Sequence, residues 1–363
     1  MTIPTNRFGR KRRRLVGVAL AVAVIATACG GNDSSEATPT TIPTTAPSTT
    51  TTTAPAATTA APATASAEEA SAYCTSVPTG VSEFVLDAGG AEHDVRVYVP
   101  TTFDGSSELP LVLNFHGFGS NGQQQAEVTG YEDLAEEEGF IVAHPTGVPA
   151  SGDSRNSWEA ADVDDPAKDD LAFTNELLDL LIDDYCVDEN RVYATGMSGG
   201  GLFTSRLVCD MSDRIAAASS VAALAYSDSC DPAQPVPFMA IHGTEDDRVP
   251  FDGDLTDTWF EDEEFAQVLF SEPIPEQFAE FAEVMGCDPE GEQLLQTTDI
   301  IATTYSGCDD EVPLVFYEVV SGGHAWPSSP LAERLTGFQG YITFEIDATA
   351  DSWAFFEQHT LER

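Results

Sequence analysis

Short apolar runs alternate with longer amphipathic stretches from residue 95 to the C-terminal region. Residues 95–99 alternate apolar and polar side chains, which predicts a strand with one buried face. Residues 111–115 are apolar except for one asparagine, as is typical of a strand buried on both faces. Residues 171–182 carry apolar side chains at a helical spacing, and Asp169 or Asp170 is placed to cap that helix. The same criteria predict strands over 140–143, 191–195, 215–221, 238–241 and 314–320, and helices over 131–138, 202–208, 276–285 and 349–358.

This alternation of strands and helices predicts an α/β fold. A crossover helix between successive strands makes the sheet mostly parallel and covers both of its faces. In such folds the binding crevice lies at the carboxyl ends of the strands. We therefore expect the functional side chains in the loops that follow the predicted strands.

The N-terminal part of the chain has the pattern of an exported protein. Arg7 to Arg14 form a basic segment, and the apolar run that ends at Ala28 is too short for a stable membrane-spanning helix. Residues 1–28 are therefore predicted to be a signal peptide. The run ends in Ala-Thr-Ala-Cys, which resembles a bacterial lipobox and predicts a lipid on Cys29, with plain secretion as the alternative.

A compositionally biased segment follows the predicted signal. Residues 31–70 are almost wholly Thr, Ala, Pro and Ser, which cannot bury enough apolar surface to fold. Residues 29–72 are therefore predicted to be a lipidated cysteine with a disordered tether, and residues 73–363 a single catalytic domain. This architecture predicts an extracellular or cell-surface protein that meets the membrane only through Cys29.

The charge of the chain is strongly acidic. From Cys29 onward there are nine basic and 61 acidic side chains, and Lys168 is the only lysine among them. Such a surface repels nucleic acid and anionic membranes, so neither is an expected partner. The simplest interpretation of the charge is a role in solubility.

Six cysteines lie in the predicted folded domain, and an even number in an exported chain indicates disulfides. Six cysteines allow 15 connectivities. Proximity in sequence favours Cys209–Cys230 and Cys287–Cys308, which leaves Cys74–Cys186. The spacing matches no zinc motif, so no metal site is expected.

A serine stands at a predicted strand-to-helix turn, in the sequence Gly-Met-Ser-Gly-Gly at residues 196–200. Glycines two residues before and after a serine are typical of the nucleophile elbow, whose strained backbone needs small neighbours. The pattern predicts Ser198 as a nucleophile. The alternative is a glycine-rich turn in which the serine has no chemical role.

The serine hydroxyl needs a base, usually a histidine that a carboxylate orients. With this elbow the chain order is serine, acid, histidine, and three of the six histidines precede Ser198. His242 ends a strand with no acid-bearing strand before it, and His359 lies on the last predicted helix. His324 follows a strand and two glycines, so it is the predicted base.

The remaining groups are expected in two loops. The acid should follow strand 238–241, where Glu245, Asp246 and Asp247 are candidates and Asp246 is our choice. The alternative for each of the three is that it is only a solvated charge in the loop. An oxyanion needs two fixed donors, for which we predict the backbone N–H groups of Gly199 and Phe118.

Three other residues flank the predicted site. His116 is expected to bond the loop backbone rather than to act as a base. Trp326, two residues after the predicted base, is a candidate substrate contact. Trp158 is another candidate, with core packing as an equal alternative.

Five motifs occur in order along the chain and together resemble the extracellular poly(3-hydroxybutyrate) depolymerase and feruloyl-esterase group of α/β-hydrolases. They are His116-Gly117, Asp169-Asp170, Gly196 to Gly200, His242 to Asp246 with Val249-Pro250, and Gly322 to Pro327. The resemblance implies an α/β-hydrolase fold, with Ser198 as nucleophile, Asp246 as acid and His324 as base. It also supports the Cys209–Cys230 and Cys287–Cys308 pairings.

The chain departs from that group at three places. Residues 249–254 lack the double glycine that usually follows the Val-Pro-aromatic turn, and the acidic stretch Asp252 to Glu272 is longer than usual. Both of these departures concern the acyl or alcohol pocket. His144 stands where the group more often has tyrosine.

The resemblance implies a serine carboxylic-ester hydrolase that works through an acyl-enzyme without metal or organic cofactor. A polyhydroxybutyrate depolymerase-like activity on oligomeric hydroxyalkanoate is the first expectation. A feruloyl or acetylxylan esterase acting on esters of plant polysaccharide is the alternative. A non-catalytic lipoprotein that binds a ligand is a hypothesis of another class, because fold alone does not imply activity.

Overall fold

The structure is a computed structural model that describes residue 74 and residues 76–160, 164–227, 229–255, 269–270 and 272–361. The predicted signal peptide, the tether and Cys29 lie outside these residues, as does most of the acidic stretch 252–272. None of the helices in the described ranges has the length and hydrophobicity needed to cross a membrane.

Ten strands of the described residues form one mixed sheet. They are β1 (Gly80–Ala88), β2 (Ala91–Val99), β3 (Leu109–Phe115), β4 (Ile141–Pro145), β5 (Val187–Met197), β6 (Ala217–Val221), β7 (Phe238–Gly243), β8 (Glu292–Gln296), β9 (Ile300–Tyr305) and β10 (Leu314–Val319). Their spatial order is β1-β2-β4-β3-β5-β6-β7-β10-β9-β8. The six central strands, β4 to β10 in that order, are parallel. An antiparallel pair extends the sheet at each edge.

Seven helices of the described residues flank the sheet. They are α1 (Gly122–Thr129), α2 (Tyr131–Glu138), α3 (Asp170–Tyr185), α4 (Gly199–Asp210), α5 (Ile274–Val284), α6 (Ala332–Gln339) and α7 (Ala348–Phe356). Side chains of α3, α4 and α5 pack with one set of strand residues, which includes Leu111 and Leu113. Side chains of α2 and α7 pack with the other set, which includes Val112. Because successive strand residues face opposite sides, helices cover both faces, and the predicted α/β-hydrolase class is confirmed.

The predicted cores of most elements agree with the structure, and the limits differ by a few residues. Helix α2 occupies the predicted span 131–138, and Asp169 rather than Asp170 caps α3, accepting from the Ala172 N–H. The prediction lacked β1, α1, β8, β9 and α6. All five residues of β8 are exposed, so no apolar periodicity marks that strand.

Three disulfides connect the described cysteines, and they join the pairs that the sequence favours. Cys209–Cys230 and Cys287–Cys308 each close a separation of 21 residues. Cys74–Cys186 closes a separation of 112 residues. The last bond ties the segment before β1 to the residue that directly follows α3.

Candidate active site

Ser198 occupies a strained turn between β5 and α4. Its backbone has φ 57° and ψ −123°, a conformation that costs energy for any residue with a side chain. The close packing of the turn explains the flanking glycines, since a Cβ on Gly200 would lie 2.1 Å from the carbonyl oxygen of Phe115. The Ser198 N–H donates to the carbonyl of Val221, at the end of β6, at 2.9 Å. The serine is therefore fixed at the carboxyl edge of the sheet.

Asp246 and His324 meet at the same edge. Asp246 follows β7, His324 follows β10, and these two strands are parallel neighbours. His324 Nδ1 lies 2.8 Å from Asp246 Oδ2, and both residues are buried. A carboxylate only accepts, so Nδ1 carries the proton and the neutral ring keeps its lone pair on Nε2. That is the tautomer a general base requires.

The carboxylate of Asp246 is held from the other side as well. Its Oδ1 accepts from the backbone N–H groups of Arg248 at 2.8 Å and Val249 at 2.9 Å. His242 Nε2 lies 3.5 Å from Oδ2. Burial alone would raise the pKa of Asp246, but His324, His242 and the Val249 amide outweigh it, so this pKa lies below its ordinary value. The acid therefore stays ionised beside His324.

His242 belongs to the support of the acid rather than to the reacting groups. Its Nε2–H donates to the carbonyl of Val249 at 2.9 Å. Burial lowers the pKa of His242, so the ring stays neutral at neutral pH. The hydrogen bond closes the turn that follows β7 and holds Asp246 in place.

Backbone contacts join the acid loop to the histidine loop. The Thr244 N–H donates to Val319 at 2.9 Å and the Glu245 N–H to Gly322 at 2.8 Å. A Cβ on Gly243 would lie 2.3 Å from the carbonyl oxygen of Gly322. The two loops are thus in direct contact, and glycine at position 243 permits that approach.

The loop after β3, residues 116–120, borders the serine hydroxyl. An ideal Cβ on Gly117 would lie 3.3 Å from Ser198 Cβ and 3.8 Å from its Oγ. An ideal Cβ on Gly199 would lie 3.2 Å from the Phe118 nitrogen. Among the described residues, the Phe118 N–H has no acceptor. The structure therefore places the nitrogen of Phe118 next to Gly199, the residue that follows Ser198.

His116 has the structural role that its sequence context predicts. Its Nδ1–H donates to the carbonyl of Gly117 at 2.8 Å, and its Nε2 accepts from the Gly147 N–H at 3.0 Å. Burial lowers the pKa of His116 to about 4, so the ring is neutral. Both nitrogens are occupied by the loop backbone, which confirms the prediction.

Trp326 does not contact the site. The residue is 0% exposed, and its Nε1–H donates to Thr349 Oγ1 at 3.0 Å. Its ring packs edge-on against Tyr131, in the core that contains α2 and α7. The prediction of a substrate contact is wrong, because nearness to His324 in sequence does not fix the direction of the side chain.

Trp158 is also a packing residue. It is 7% exposed and stacks on Phe203, with ring centroids 5.2 Å apart. Its Nε1–H donates to the carbonyl of His116 at 3.0 Å. Of the two alternatives for Trp158, core packing is the one observed, and the ring supports the 116–120 loop from the core side.

Sequence reasoning missed a buried group of charges behind this loop. Lys168 Nζ lies 2.9 Å from Asp170 Oδ2, and the two side chains are 2% and 0% exposed. Glu159 is buried beside them, and its N–H donates to Asp170 Oδ2 at 2.7 Å. The sequence did offer one signal for this group, because Lys168 is the only lysine after the predicted signal peptide.

Comparisons with known proteins show the family of the chain. The sequence model of the family described as "Putative esterase" matches residues 88–274, which is more than half of the chain. The chain belongs to this esterase family. The matched span contains the elbow, the 116–120 loop and Asp246, while His324 lies after it.

Three relatives show which known proteins this member of the esterase family is similar to. The feruloyl esterase B of Piromyces equi is 30% identical over 241 residues, 64% of this chain and 42% of that protein. A bifunctional acetylxylan esterase/xylanase of Neocallimastix patriciarum is 32% identical over 158 residues, 44% of this chain and 22% of that protein. The "Putative esterase NocK" of Nocardia uniformis subsp. tsuyamanensis is 29% identical over 338 residues, 88% and 92% of the two chains. The chain spans less than half the length of the first two relatives.

Proposed function

We propose that the chain is a serine carboxylic-ester hydrolase that works through an acyl-enzyme at Ser198. The observation that carries the proposal is the buried bond between His324 Nδ1 and Asp246 Oδ2, at the same sheet edge as a strained serine. Two backbone amides beside that serine supply the donors that ester chemistry needs. Membership of the esterase family supports the same conclusion.

The reaction follows from the roles of these groups. His324 Nε2 takes the proton of Ser198 while Oγ attacks the ester carbonyl, and the Gly199 and Phe118 N–H groups stabilise the resulting oxyanion. Asp246 stabilises the imidazolium that forms. Collapse of the adduct breaks the ester C–O bond, and His324 gives its proton to the departing alcohol. Water, deprotonated by His324, then hydrolyses the acyl-enzyme and restores Ser198.

For the substrate we propose a feruloyl or acetyl ester carried on plant polysaccharide. The names of the two relatives that match at 30% identity or more support this choice. The five ordered motifs also fit a depolymerase of oligomeric hydroxyalkanoates, which is the second candidate. No metal or organic cofactor takes part in either version.

For the location we propose an extracellular or cell-surface protein held by a lipid on Cys29. Three disulfides in the described residues support a place outside the reducing cytoplasm. Mass analysis of the mature N-terminus tests the anchor. A diacylglycerol-modified Cys29 at the first position supports it, and an unmodified N-terminus contradicts it.

A substrate panel tests the function. The purified chain is assayed on p-nitrophenyl acetate, methyl ferulate, acetylated xylan and hydroxybutyrate oligomers, with Ser198→Ala as control. We expect hydrolysis of the small esters by the wild type only, and faster turnover of methyl ferulate or acetylated xylan than of the oligomers. Turnover of the oligomers alone would favour the depolymerase. Absence of turnover on every ester would contradict the proposal and favour a non-catalytic binding protein.

A further inference from the structure

The loop of residues 147–158 lies directly behind the 116–120 loop and holds it at several points. The Gly147 N–H donates to His116 Nε2, and the Trp158 Nε1–H donates to the His116 carbonyl, each at 3.0 Å. The Gly119 N–H donates to the carbonyl of Asn156 at 2.8 Å. His116 and Gly119, which lie on either side of Phe118, are therefore both bonded to the 147–158 loop.

Two side chains of the 147–158 loop also contact the 116–120 loop. Asn156 Nδ2 donates to the Ser120 carbonyl at 2.8 Å. The guanidinium carbon of Arg155 lies 4.4 Å from the centre of the Phe118 ring, within the range of a cation–π contact. A shift of the 147–158 loop would therefore move the Phe118 N–H.

Lys168 joins the two limbs of the 147–158 loop. Its ammonium group donates to the carbonyl of Val148 at 3.2 Å on one limb and to the carbonyl of Ser157 at 2.7 Å on the other. The third partner is Asp170 Oδ2, at 2.9 Å, in the first turn of α3. A further contact joins the ammonium to Ser157 Oγ at 3.4 Å, so Lys168 connects the loop to a helix that packs on the sheet.

Because Lys168 and Asp170 are buried, the stability of their ion pair depends on the contacts that Lys168 makes to the loop. The side chains of Lys168 and Asp170 are 2% and 0% exposed, and a buried charge is costly unless it is paired and hydrogen-bonded. A displaced loop would leave the ammonium without two of its acceptors. The pair therefore favours one position of the loop over nearby ones.

We propose that Lys168, with Asp170, is a positioning residue that sets the Phe118 N–H for oxyanion stabilisation. This inference rests on the proposed ester hydrolysis. Lys168 touches no reacting atom; it acts through the 147–158 loop on the 116–120 loop. Its effect belongs to the tetrahedral intermediate and to the transition states that lead to and from it, because the bound ester itself carries no oxyanion.

The test removes both charges together, because Lys168→Met alone would leave Asp170 buried and unpaired. In Lys168→Met/Asp170→Asn we expect kcat on p-nitrophenyl acetate to fall about ten-fold or more, with KM within about two-fold of the wild type. The inhibition constant of a trifluoromethyl ketone, whose adduct carries the oxyanion, should rise by the same factor as kcat/KM falls. Lys168→Gln/Asp170→Asn, which retains amide donors, is the second variant should the first not fold.

Leu181→Ala is the matched control, since Leu181 is buried on the same helix α3 near its other end. It should lower the melting temperature and leave kcat unchanged. A double variant with wild-type kcat overturns the inference. So does a fall in kcat without the parallel change in inhibitor binding, or an equal fall in Leu181→Ala.

Hydrogen exchange separates this inference from the proposed function. Amides of residues 116–120 should exchange faster in the double variant than in the wild type and in Leu181→Ala. If the wild type hydrolyses no ester, the proposed function is wrong. The exchange rates then still show whether Lys168 holds the 116–120 loop in place. Unchanged exchange in the double variant overturns the inference whatever the activity.

Discussion

His324 Nδ1 lies 2.8 Å from Asp246 Oδ2 in a setting from which solvent is almost excluded. The other carboxylate oxygen accepts from two backbone amides, so the carboxylate cannot rotate away from the ring without losing both bonds. The histidine is therefore oriented before any substrate binds. Because Asp246 orients His324 in this way, a substitution of Asp246 alone tests the orientation of the base.

Asp246→Asn tests the orientation of the base. The substitution retains the shape, but an amide N–H facing His324 would place the ring proton on Nε2, where it blocks proton transfer from Ser198. We expect kcat to fall by about 10³- to 10⁴-fold with little change in KM. Steady-state kinetics on p-nitrophenyl acetate measures both. A variant that retains a tenth of the wild-type kcat would show that Asp246 does not orient the base.

Gly199→Ala tests the space beside the second oxyanion donor. The added Cβ would lie 3.2 Å from the Phe118 nitrogen, tight enough to displace that donor or shield it from the substrate oxygen. Losing one donor costs about 10²- to 10³-fold in kcat, and we expect a loss that approaches this range. Gly337→Ala is the control, because a Cβ there meets no atom within 4 Å. Equal kcat in the two variants would contradict the assignment of Phe118.

The sequence predicted the centre of the sheet and the residues at its strand ends because both leave local signals. Buried parallel strands are continuous apolar runs, and the elbow needs glycine at fixed offsets from Ser198. The edge strands leave weaker signals. All residues of β8 are exposed, so that strand depends on hydrogen bonds to β9 rather than on an apolar pattern.

The directions of side chains and the buried charges were not predictable in the same way. Trp326 is two residues from His324, yet it faces the core, because the path of the loop decides which side each residue takes. The sequence shows that Lys168 is the only lysine after the predicted signal peptide, but it does not show what the side chain contacts. Only the tertiary structure brings it to the carbonyl groups of Val148 and Ser157, in a loop that lies before it in sequence.

His144→Leu tests the cost of a buried imidazole in β4. Burial lowers the pKa of His144 to about 3, and neither ring nitrogen has a hydrogen-bond partner among the described residues. Between pH 7.5 and 5.0 the unfolded chain takes up a proton here and the folded chain does not. The free energy of unfolding therefore falls by about 2 kcal/mol on this account.

The leucine variant lacks that proton uptake, so its stability should fall by about 2 kcal/mol less over the same interval. Urea unfolding at the two pH values measures the difference. Both pH values lie above the sequence pI of about 4.1, so the protein keeps a net negative charge that favours solubility. Parallel losses in wild type and variant would mean that His144 titrates normally in the folded state.

The three disulfides should contribute unequally to stability. In the chain-entropy account, closing a longer loop restricts the unfolded chain more. Replacing Cys74 and Cys186 by alanine, with a separation of 112 residues, should cost about 5 kcal/mol, and replacing Cys209 and Cys230, with a separation of 21, about 3 kcal/mol. Chemical unfolding of the two double variants measures this order. The reverse order would show that packing at the bonds outweighs loop entropy.

The most direct test of the proposed function is covalent labelling with a fluorophosphonate, which reacts with a serine only when a base activates it. After digestion, mass spectrometry locates the adduct. Our account predicts a single adduct on the peptide that contains Ser198, with ester hydrolysis lost in proportion to labelling, and no adduct in Ser198→Ala or His324→Ala. Ester hydrolysis that continues in a fully labelled protein, or labelling that persists in Ser198→Ala, would contradict the assignment of Ser198 as the nucleophile.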